Sequence, residues 1–168
     1  DDTSPMPPAT QALGPDSDAP GLVAAGGRVT PQRLEEAYRL GIFPWYGKDQ
    51  PVLWWSPDPR TVLFVDEFRV ARSLRKRVQQ QRFEIRVESA FRSVIEACAR
   101  TPRPGQGETW ITPAIVDAYA ALHARGNAHS VEAWTTEGPP ELVGGLYGVH
   151  IGAAFFAESK FHRPRRGT

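Results

Sequence analysis

The chain has 168 residues and a formal net charge of +1, with 40% hydrophobic and 23% charged residues. This length and composition are ordinary for one globular domain, or for one domain with a small appendage. No apolar run approaches the ~20 residues of a membrane helix, and the start has no secretory signal. The single cysteine excludes an internal disulfide and a cysteine-cluster metal site. These features predict a soluble, cytoplasmic protein.

The first third of the chain predicts a tail, a helix and a loop in that order. Residues 1–27 are rich in Pro, Gly, Ala and Asp, which indicates a mobile start that becomes ordered toward "GLVAAGG". Thr30 followed by Pro31 has the pattern of a capping residue before proline at the first helical position. We therefore expect a helix from Pro31 that ends at Gly41 and buries an apolar stripe including Tyr38.

Residues 41–60, "GIFPWYGKDQPVLWWSPDPR", concentrate three tryptophans and four prolines. The prolines disfavour both a helix and a central strand, so this segment is predicted to be a loop. Loops that hold large rings rigidly often present them to a ligand. Trp54 and Trp55 could equally pack at the junction of two structural units.

Regular elements are predicted from Thr61 onward. "TVLFV" at 61–65 is interpreted as a strand, 68–81 as a basic helix, and "FEIRV" at 83–87 as a half-buried strand. Ser89 is expected to cap the next helix. The side chains expected to face the core lie at four-residue spacing in the helix and at alternate positions in the strand: Val70, Leu74, Val78, Phe83, Ile85 and Val87.

The last part of the chain predicts one more helix and three strands. Thr112-Pro113 repeats the cap-and-proline start, and Gly126 ends this helix. The strands "AHSVEAW", "ELVGGLYG" and "IGAAFFAES" are separated by short gaps, which indicates an antiparallel meander.

The predicted fold is therefore α+β, with a small N-terminal domain at 1–60 and a second domain at 61–168.

Nucleophilic and metal chemistry are not supported by the residue spacing. His129 and Ser130 are neighbours on a predicted strand, so their side chains point to opposite faces and cannot form a catalytic pair. Cys98 lies on the apolar stripe of its helix, where a buried, inert thiol is expected. The four histidines do not have the spacing of a metal site.

A basic helix and several tryptophans favour a nucleic-acid ligand. Arg69, Arg72 and Lys76 lie on one exposed helix face that has no interleaved acid, and Arg75 extends this face. Such a face is either simply solvated or binds a phosphate backbone. Trp45 and Trp110 could supply flat surfaces for stacking of a nucleobase.

Glu158 is the carboxylate most suited to a functional role. It ends the final predicted strand beside Phe155 and Phe156, so it would lie in a partly apolar setting. A carboxylate there either pairs with a cation or has a shifted pKa. An ordinary surface glutamate is the alternative.

Several longer words in the sequence are characteristic of one family. They are "AYRLGIFPWY", "LWWSPDPR", "TWI", "AYAALHARGNAHSVEAW", "LVGGLYGVHIG" and "FFAES". In order and spacing they resemble the signature blocks of the leucyl/phenylalanyl-tRNA–protein transferases. The resemblance extends from about Gly21 to Phe161.

The resemblance implies an aminoacyltransferase that needs no cofactor, neither a metal nor a nucleotide. Such an enzyme takes leucine or phenylalanine from its charged tRNA and joins it to the N-terminal lysine or arginine of a protein, which marks that protein for degradation. The implied fold is a small N-terminal domain on a domain like that of the Gcn5-related N-acetyltransferases. The implied partners are aminoacyl-tRNA and the acceptor protein, with no membrane, and the protein is expected to be a monomer.

The resemblance also implies roles for individual residues. Glu158 matches the glutamate of the substrate site and is the candidate catalytic residue. Arg72, Arg75 and Lys76 fall in the cluster expected to hold the tRNA acceptor stem. The candidate substrate-binding residues surround the terminal adenosine or the apolar amino acid: Trp45, Trp110, Tyr119, Leu146, Phe155 and Phe156.

The sequence also departs from the pattern of the family. Family members continue beyond "ESMF" through a helix and a strand bearing Asp-Cys-Gln, whereas this sequence has Lys160 in place of that Met and ends at Thr168. We therefore expect an incomplete catalytic centre. The alternative to an active transferase is a truncated, inactive tRNA-binding remnant of the family.

Overall fold

A computed structural model of the protein describes residues 4–103, 105 and 108–163. It contains two antiparallel sheets, one with three strands in the order β1-β3-β2 and one with four in the order β4-β5-β6-β7. The strands are β1 (Leu22–Ala25), β2 (Phe43–Pro44), β3 (Leu53–Trp55), β4 (Phe83–Val87), β5 (Ala128–Thr135), β6 (Leu142–Ile151) and β7 (Ala154–His162). The helices are α1 (Pro31–Arg39), α2 (Arg72–Gln79), α3 (Phe91–Arg100) and α4 (Pro113–Ala124).

This arrangement confirms the α+β class, the N-terminal unit and the antiparallel meander, and it is consistent with an incomplete acetyltransferase-like domain. Within the described ranges, no helix is long and apolar enough to cross a membrane.

The N-terminal unit forms around two features of the sequence. Helix α1 begins as predicted, with Pro31 at its first position and the Thr30 side chain accepting a hydrogen bond from the Arg33 backbone N–H at 3.2 Å. The predicted loop, however, contains the central strand of the first sheet, β3, in which Trp54 is 2% exposed. A strand is tolerated here because the prolines of the segment lie outside β3 or on the edge strand β2.

The second sheet is covered on one face by α3 and α4. Their apolar side chains pack on the buried residues of the sheet, including Ala128, Tyr147 and Val149. Cys98 of α3 is 1% exposed, as predicted, and burial raises the pKa of its thiol. The core of the protein lies in this layer.

The start of α3 differs from the prediction that Ser89 caps it. The capping position is Ala90, which has no capping side chain. The Glu132 carboxylate of β5 replaces the local cap: it accepts the Ser89 hydroxyl at 2.7 Å and the Ala90 N–H at 3.3 Å. It also accepts the Ser130 hydroxyl at 2.6 Å, and Glu132 is 0% exposed. A buried carboxylate can occupy this position because several donors satisfy its oxygens.

The segment before α3 shows the largest departures from the predictions. Residues 61–65 form no strand, because no neighbouring strand pairs with them. Helix α2 is shorter than 68–81 and buries no side chain. Strand β4 is present, but the apolar side chains expected to face the core are exposed, by 39% to 66%: Val70, Leu74, Val78, Phe83, Ile85 and Val87. In β4 the reason is that α3 and α4 occupy the other face of the sheet, and no described element covers this one. Around α2 the reason is that no described element packs on its apolar side.

Candidate functional site

A β-bulge in β7 sets the direction of Glu158. Tyr147 of β6 pairs with Ser159, whereas the next residue, Gly148, pairs with Ala157, so Glu158 is an extra residue opposite the Tyr147/Gly148 step. Because of this shift, Glu158 and Ser159 both point toward the face that carries α3 and α4. Bulges are common where a strand must direct a side chain into a site.

Glu158 lies against a pair of buried tyrosines. The hydroxyl oxygens of Tyr38 in α1 and Tyr119 in α4 are 2.6 Å apart, and side-chain hydrogen bonds join both tyrosines to the Glu158 carboxyl. Tyr38 is 2% exposed and Tyr119 is 0% exposed. The cluster therefore joins the N-terminal unit to the second sheet.

The surroundings of Glu158 favour its neutral form. Glu158 is partly exposed, but desolvation of its carboxyl raises its pKa from 4.5 to about 7, although the hydrogen bonds from Tyr38 and Tyr119 and the charge of Arg60 act in the opposite direction. Burial, with the negative charge of Glu158 nearby, raises the pKa of each tyrosine well above its usual range. Near neutral pH, Glu158 is therefore the group of this cluster that exchanges a proton.

Arg60 supplies the positive charge beside this cluster. Its guanidinium carbon lies 4.9 Å from the centre of the Phe43 ring and 5.9 Å from that of Phe156, and it donates a hydrogen bond to the Gly41 carbonyl at 2.9 Å. The Phe156 ring in turn contacts Tyr38, with ring centres 5.1 Å apart. Arginine, phenylalanine and tyrosine thus form one wall next to Glu158.

Trp45 is an exposed indole held in a defined orientation. Its side chain is 48% exposed, while its backbone N–H donates to the Leu53 carbonyl at 2.9 Å. The Trp55 indole N–H donates to the Trp45 carbonyl at 2.7 Å, and the two rings meet edge to face at 5.9 Å. Fixed and exposed aromatic rings are suited to stacking with a base.

Trp110 lies on a segment that contacts the Trp45 segment. Tyr46, the residue after Trp45, shares a side-chain hydrogen bond with Thr112. The Thr112 N–H donates to the Trp110 carbonyl at 3.0 Å, and the partly buried Trp110 packs against the core. The two predicted tryptophans are therefore on adjoining segments.

The other predicted substrate residues are divided between the two faces of the second sheet. Tyr119, Phe156 and Glu158 lie together on the face that carries the helices. Leu146 and Phe155 point to the opposite face, because Leu146 pairs with Lys160 and Phe155 with His150. They flank Gly148, where a Cβ atom would collide with the Phe155 ring and the Phe156 carbonyl.

The predicted tRNA-binding residues form a separate surface on α2. Arg72, Arg75 and Lys76 line a shallow, open depression together with Val70 and Gln79. None of these residues belongs to the Glu158 cluster.

Sequence reasoning did not assign Tyr38 or Arg60 to the site. Tyr38 was predicted only as part of an apolar stripe. Its hydroxyl could have indicated a polar contact in the core, because a buried tyrosine hydroxyl usually has a hydrogen-bond partner. A third unassigned group, the Tyr147 hydroxyl, is buried near Glu158 and has no hydrogen-bond partner in the described part of the protein.

Comparisons with known proteins match nearly the whole chain. The family model described as "Leucyl/phenylalanyl-tRNA protein transferase" matches residues 62–168, and that of the corresponding N-terminal domain matches residues 27–58. A protein named leucyl/phenylalanyl-tRNA–protein transferase from Leptothrix cholodnii is 57% identical over 96% of this chain and 64% of its own length. One of the same name from Ralstonia pickettii is 54% identical over 97% of this chain and 66% of its own length. The chain thus spans slightly less than two thirds of the length of these curated relatives.

Proposed function

Since the chain belongs to the leucyl/phenylalanyl-tRNA–protein transferase family, we propose that it transfers leucine or phenylalanine from aminoacyl-tRNA to the N-terminal lysine or arginine of a protein. The observation that carries this proposal is the Glu158 carboxyl, held by the buried Tyr38 and Tyr119 next to Arg60 and Phe156. In this family setting, the acceptor protein would be marked for degradation in the cytoplasm.

The proposed reaction needs positioning more than a covalent nucleophile. The α-amine nitrogen of the acceptor attacks the ester carbonyl carbon of the aminoacyl-tRNA. A peptide C–N bond forms, the C–O bond to the ribose breaks, and one proton passes from the amine toward the ribose oxygen. An ester is already activated toward an amine, so holding both groups together supplies much of the rate.

Glu158 is suited to the proton and charge requirements of this reaction. With a pKa of about 7, it exists in both protonation states near neutral pH. Its ionised form can accept a hydrogen bond from the acceptor amine and withdraw the proton that the amine must lose. Tyr38 and Tyr119 fix the orientation of the carboxyl.

Apolar and aromatic side chains would bind the donor. Trp45 and Trp110 are assigned to the terminal adenosine, because stacking on indole tolerates any base and is worth about 1–3 kcal/mol per base. Phe156, on the same face as Glu158, is assigned to the amino acid side chain, whereas Leu146 and Phe155 lie on the opposite face of the sheet. Leucine and phenylalanine share mainly apolar bulk, so an aromatic wall accepts both.

We further propose a division of labour along the chain. The unit at 1–60 contributes Trp45 and Arg60 to the donor site, and the unit at 61–168 contributes Glu158 and the basic helix. The protein would act as a monomer, because one chain supplies all the assigned groups.

The basic face of α2 should set the salt dependence of tRNA binding. Replacing Arg72, Arg75 and Lys76 together with glutamine should reduce the magnitude of the slope of log affinity against log salt by about 2 to 3. The reason is that tRNA binding releases fewer counterions when three phosphate contacts are lost. Filter binding of leucyl-tRNA between low and high salt measures the slope. Arg100→Gln, an exposed cation on α3, serves as the control and should leave it unchanged. An unchanged slope in the triple variant would show that α2 does not contact the tRNA.

Transfer itself is the test of the proposed function. Labelled leucine from leucyl-tRNA should appear in a peptide that begins with arginine, and not in the same peptide beginning with alanine. The second candidate is an inactive tRNA-binding remnant of the family, and the span of less than two thirds of the relatives is consistent with either candidate. Salt-sensitive binding of leucyl-tRNA without transfer would support the remnant.

A further inference from the structure

The bulge in β7 presents two consecutive side chains to the same face of the sheet. In a regular strand, neighbouring side chains point to opposite faces. Glu158 and Ser159 instead both point toward α3 and α4, because Tyr147 pairs with Ser159 while Gly148 pairs with Ala157. With regular pairing continued from Ser159, Glu158 would lie opposite Gly148 and its side chain would point to the other face. The direction of Glu158 therefore depends on the bulge.

The two residues of the bulge are held by different groups. Tyr38 and Tyr119 bind the Glu158 carboxyl through side-chain hydrogen bonds. These bonds fix the end of the glutamate side chain, whereas a bulge also leaves part of the backbone ladder unpaired. The backbone at Ser159 needs a contact of its own to keep the bulge at this place.

Ser159 has such a contact through its buried hydroxyl. The Arg103 guanidinium donates a hydrogen bond to this hydroxyl, and a further side-chain hydrogen bond joins the hydroxyl to the Cys98 sulfur. Ser159 and Cys98 are both buried. Arginine, serine and cysteine thus form a polar chain from the segment after α3 to the bulge in β7.

The end of α3 fixes the place from which Arg103 acts. The Thr101 hydroxyl donates to the Ala97 carbonyl at 2.8 Å, and the Thr101 N–H donates to the Cys98 carbonyl at 3.3 Å. Arg103 follows two residues later, and α3 itself packs against β6 and β7. The arginine is therefore attached to a helix that already lies on the sheet.

We propose that Arg103 is a positioning residue for Glu158: its hydrogen bond to Ser159 keeps the bulge in place and so directs the Glu158 carboxyl toward Tyr38 and Tyr119. Side chains of a functional site are commonly held by a second set of hydrogen bonds of this kind. Arg103 acts through this bond, since the cation whose charge acts on Glu158 is Arg60.

Loss of the Arg103 bond should affect Glu158 by a defined route. The buried Ser159 hydroxyl would lose its donor, and β7 could relax toward regular pairing at this position. The Glu158 carboxyl would then leave its desolvated site beside the tyrosines. In the proposed transfer, which this role in catalysis rests on, a displaced Glu158 could no longer take the proton of the acceptor amine.

Titration of Glu158 followed by NMR tests the positioning without any transfer. The protein is labelled with ¹³C at the glutamate carboxyl carbons, and the Glu158 signal is identified by its loss in Glu158→Gln. Arg103→Met removes the donor, Arg103→Lys retains one, and Ser159→Ala removes the acceptor. Arg100→Met removes an exposed cation at the end of α3 and is the matched control. A chain that fails to transfer leaves this test valid, because it uses no tRNA.

We expect the midpoint for Glu158 to fall from about 7 toward 4.5 in Arg103→Met and in Ser159→Ala. The double variant should fall no further than either single variant, because both remove the same bond. Arg103→Lys should restore most of the natural midpoint, and Arg100→Met should leave it unchanged.

Two results would overturn the proposal. An unchanged midpoint in folded Arg103→Met and Ser159→Ala would show that the bulge holds without this bond. A midpoint that rises in Arg103→Met would show that the arginine acts on Glu158 through its charge. If Arg103→Met does not fold, the smaller change Ser159→Ala decides by itself.

Discussion

The free energy of unfolding is expected to fall by about 3 kcal/mol through Glu158 as the pH rises from 4.5 to about 7. The pKa of Glu158 is about 7 in the folded protein and 4.5 for the ordinary group. Between these values the folded state binds a proton that the unfolded state does not. The contribution of Glu158 to the free energy of unfolding is therefore complete below pH 4.5 and is lost as the pH approaches 7. Most carboxylates have lowered pKa values and give the opposite slope.

Urea unfolding at several pH values, for the natural protein and for Glu158→Gln, isolates this effect. The variant should lack the slope, so the difference in unfolding free energy between the two proteins should change by about 3 kcal/mol across the interval. Glu84→Gln, which removes an exposed carboxylate from β4, is the matched control. A difference that does not vary with pH would show that the Glu158 carboxyl is not held in a desolvated site.

Glu132→Ala is expected to destabilise the protein by about 3–5 kcal/mol. The carboxylate accepts the Ser89 and Ser130 hydroxyls and the Ala90 N–H, and it is completely buried. Its removal leaves these donors without partners and creates a cavity at the start of α3. Both effects act on the layer that forms the core.

Denaturation at constant pH measures this loss, with Glu141→Ala as the control at an exposed site just before β6. The control should change stability by no more than about 0.5 kcal/mol. If Glu132→Ala were equally mild, the start of α3 would have to be stabilised by some other group.

Local signals in the sequence predicted the elements whose ends depend on neighbouring residues. The Thr-Pro starts of α1 and α4 are set by side-chain caps within three residues, and the Thr112 hydroxyl accepts the Ile115 N–H at 3.4 Å as the pattern implies. The meander followed from short gaps between alternating strands. The cap of α3 was wrong because its acceptor, Glu132, lies more than 40 residues away.

The remaining differences arise from tertiary packing that no local pattern contains. The prolines of residues 41–60 disfavour a central strand in this segment. β3 is nevertheless central because it pairs with β1 on one side and with β2 on the other. The apolar residues of α2 and β4 have the periodicity of buried elements, and only the fold shows that nothing described lies over them. In these regions the apolar periodicity indicates which side chains are suited to burial, but it does not show whether another element packs on them.

The candidate site was predictable in part for the same reason. Glu158 was singled out from its apolar neighbours, but the bulge that directs it toward Tyr38 depends on the pairing of β6 with β7. Leu146 and Phe155 were assigned together with Phe156, whereas the register places them on the other face. The sequence therefore identified candidate residues more readily than the face of the sheet on which each side chain lies.

The central claim is that the Trp45 and Trp110 indoles bind the terminal adenosine of a charged tRNA. Its most direct test is the affinity for leucyl-tRNA stabilised by an amide linkage, compared with the same tRNA lacking its terminal adenosine and amino acid. We predict that the complete ligand binds more tightly, and that Trp110→Ala removes about 1–3 kcal/mol of this difference while the fold remains intact. Equal affinity for the two ligands, or an unchanged affinity in Trp110→Ala, would contradict the claim.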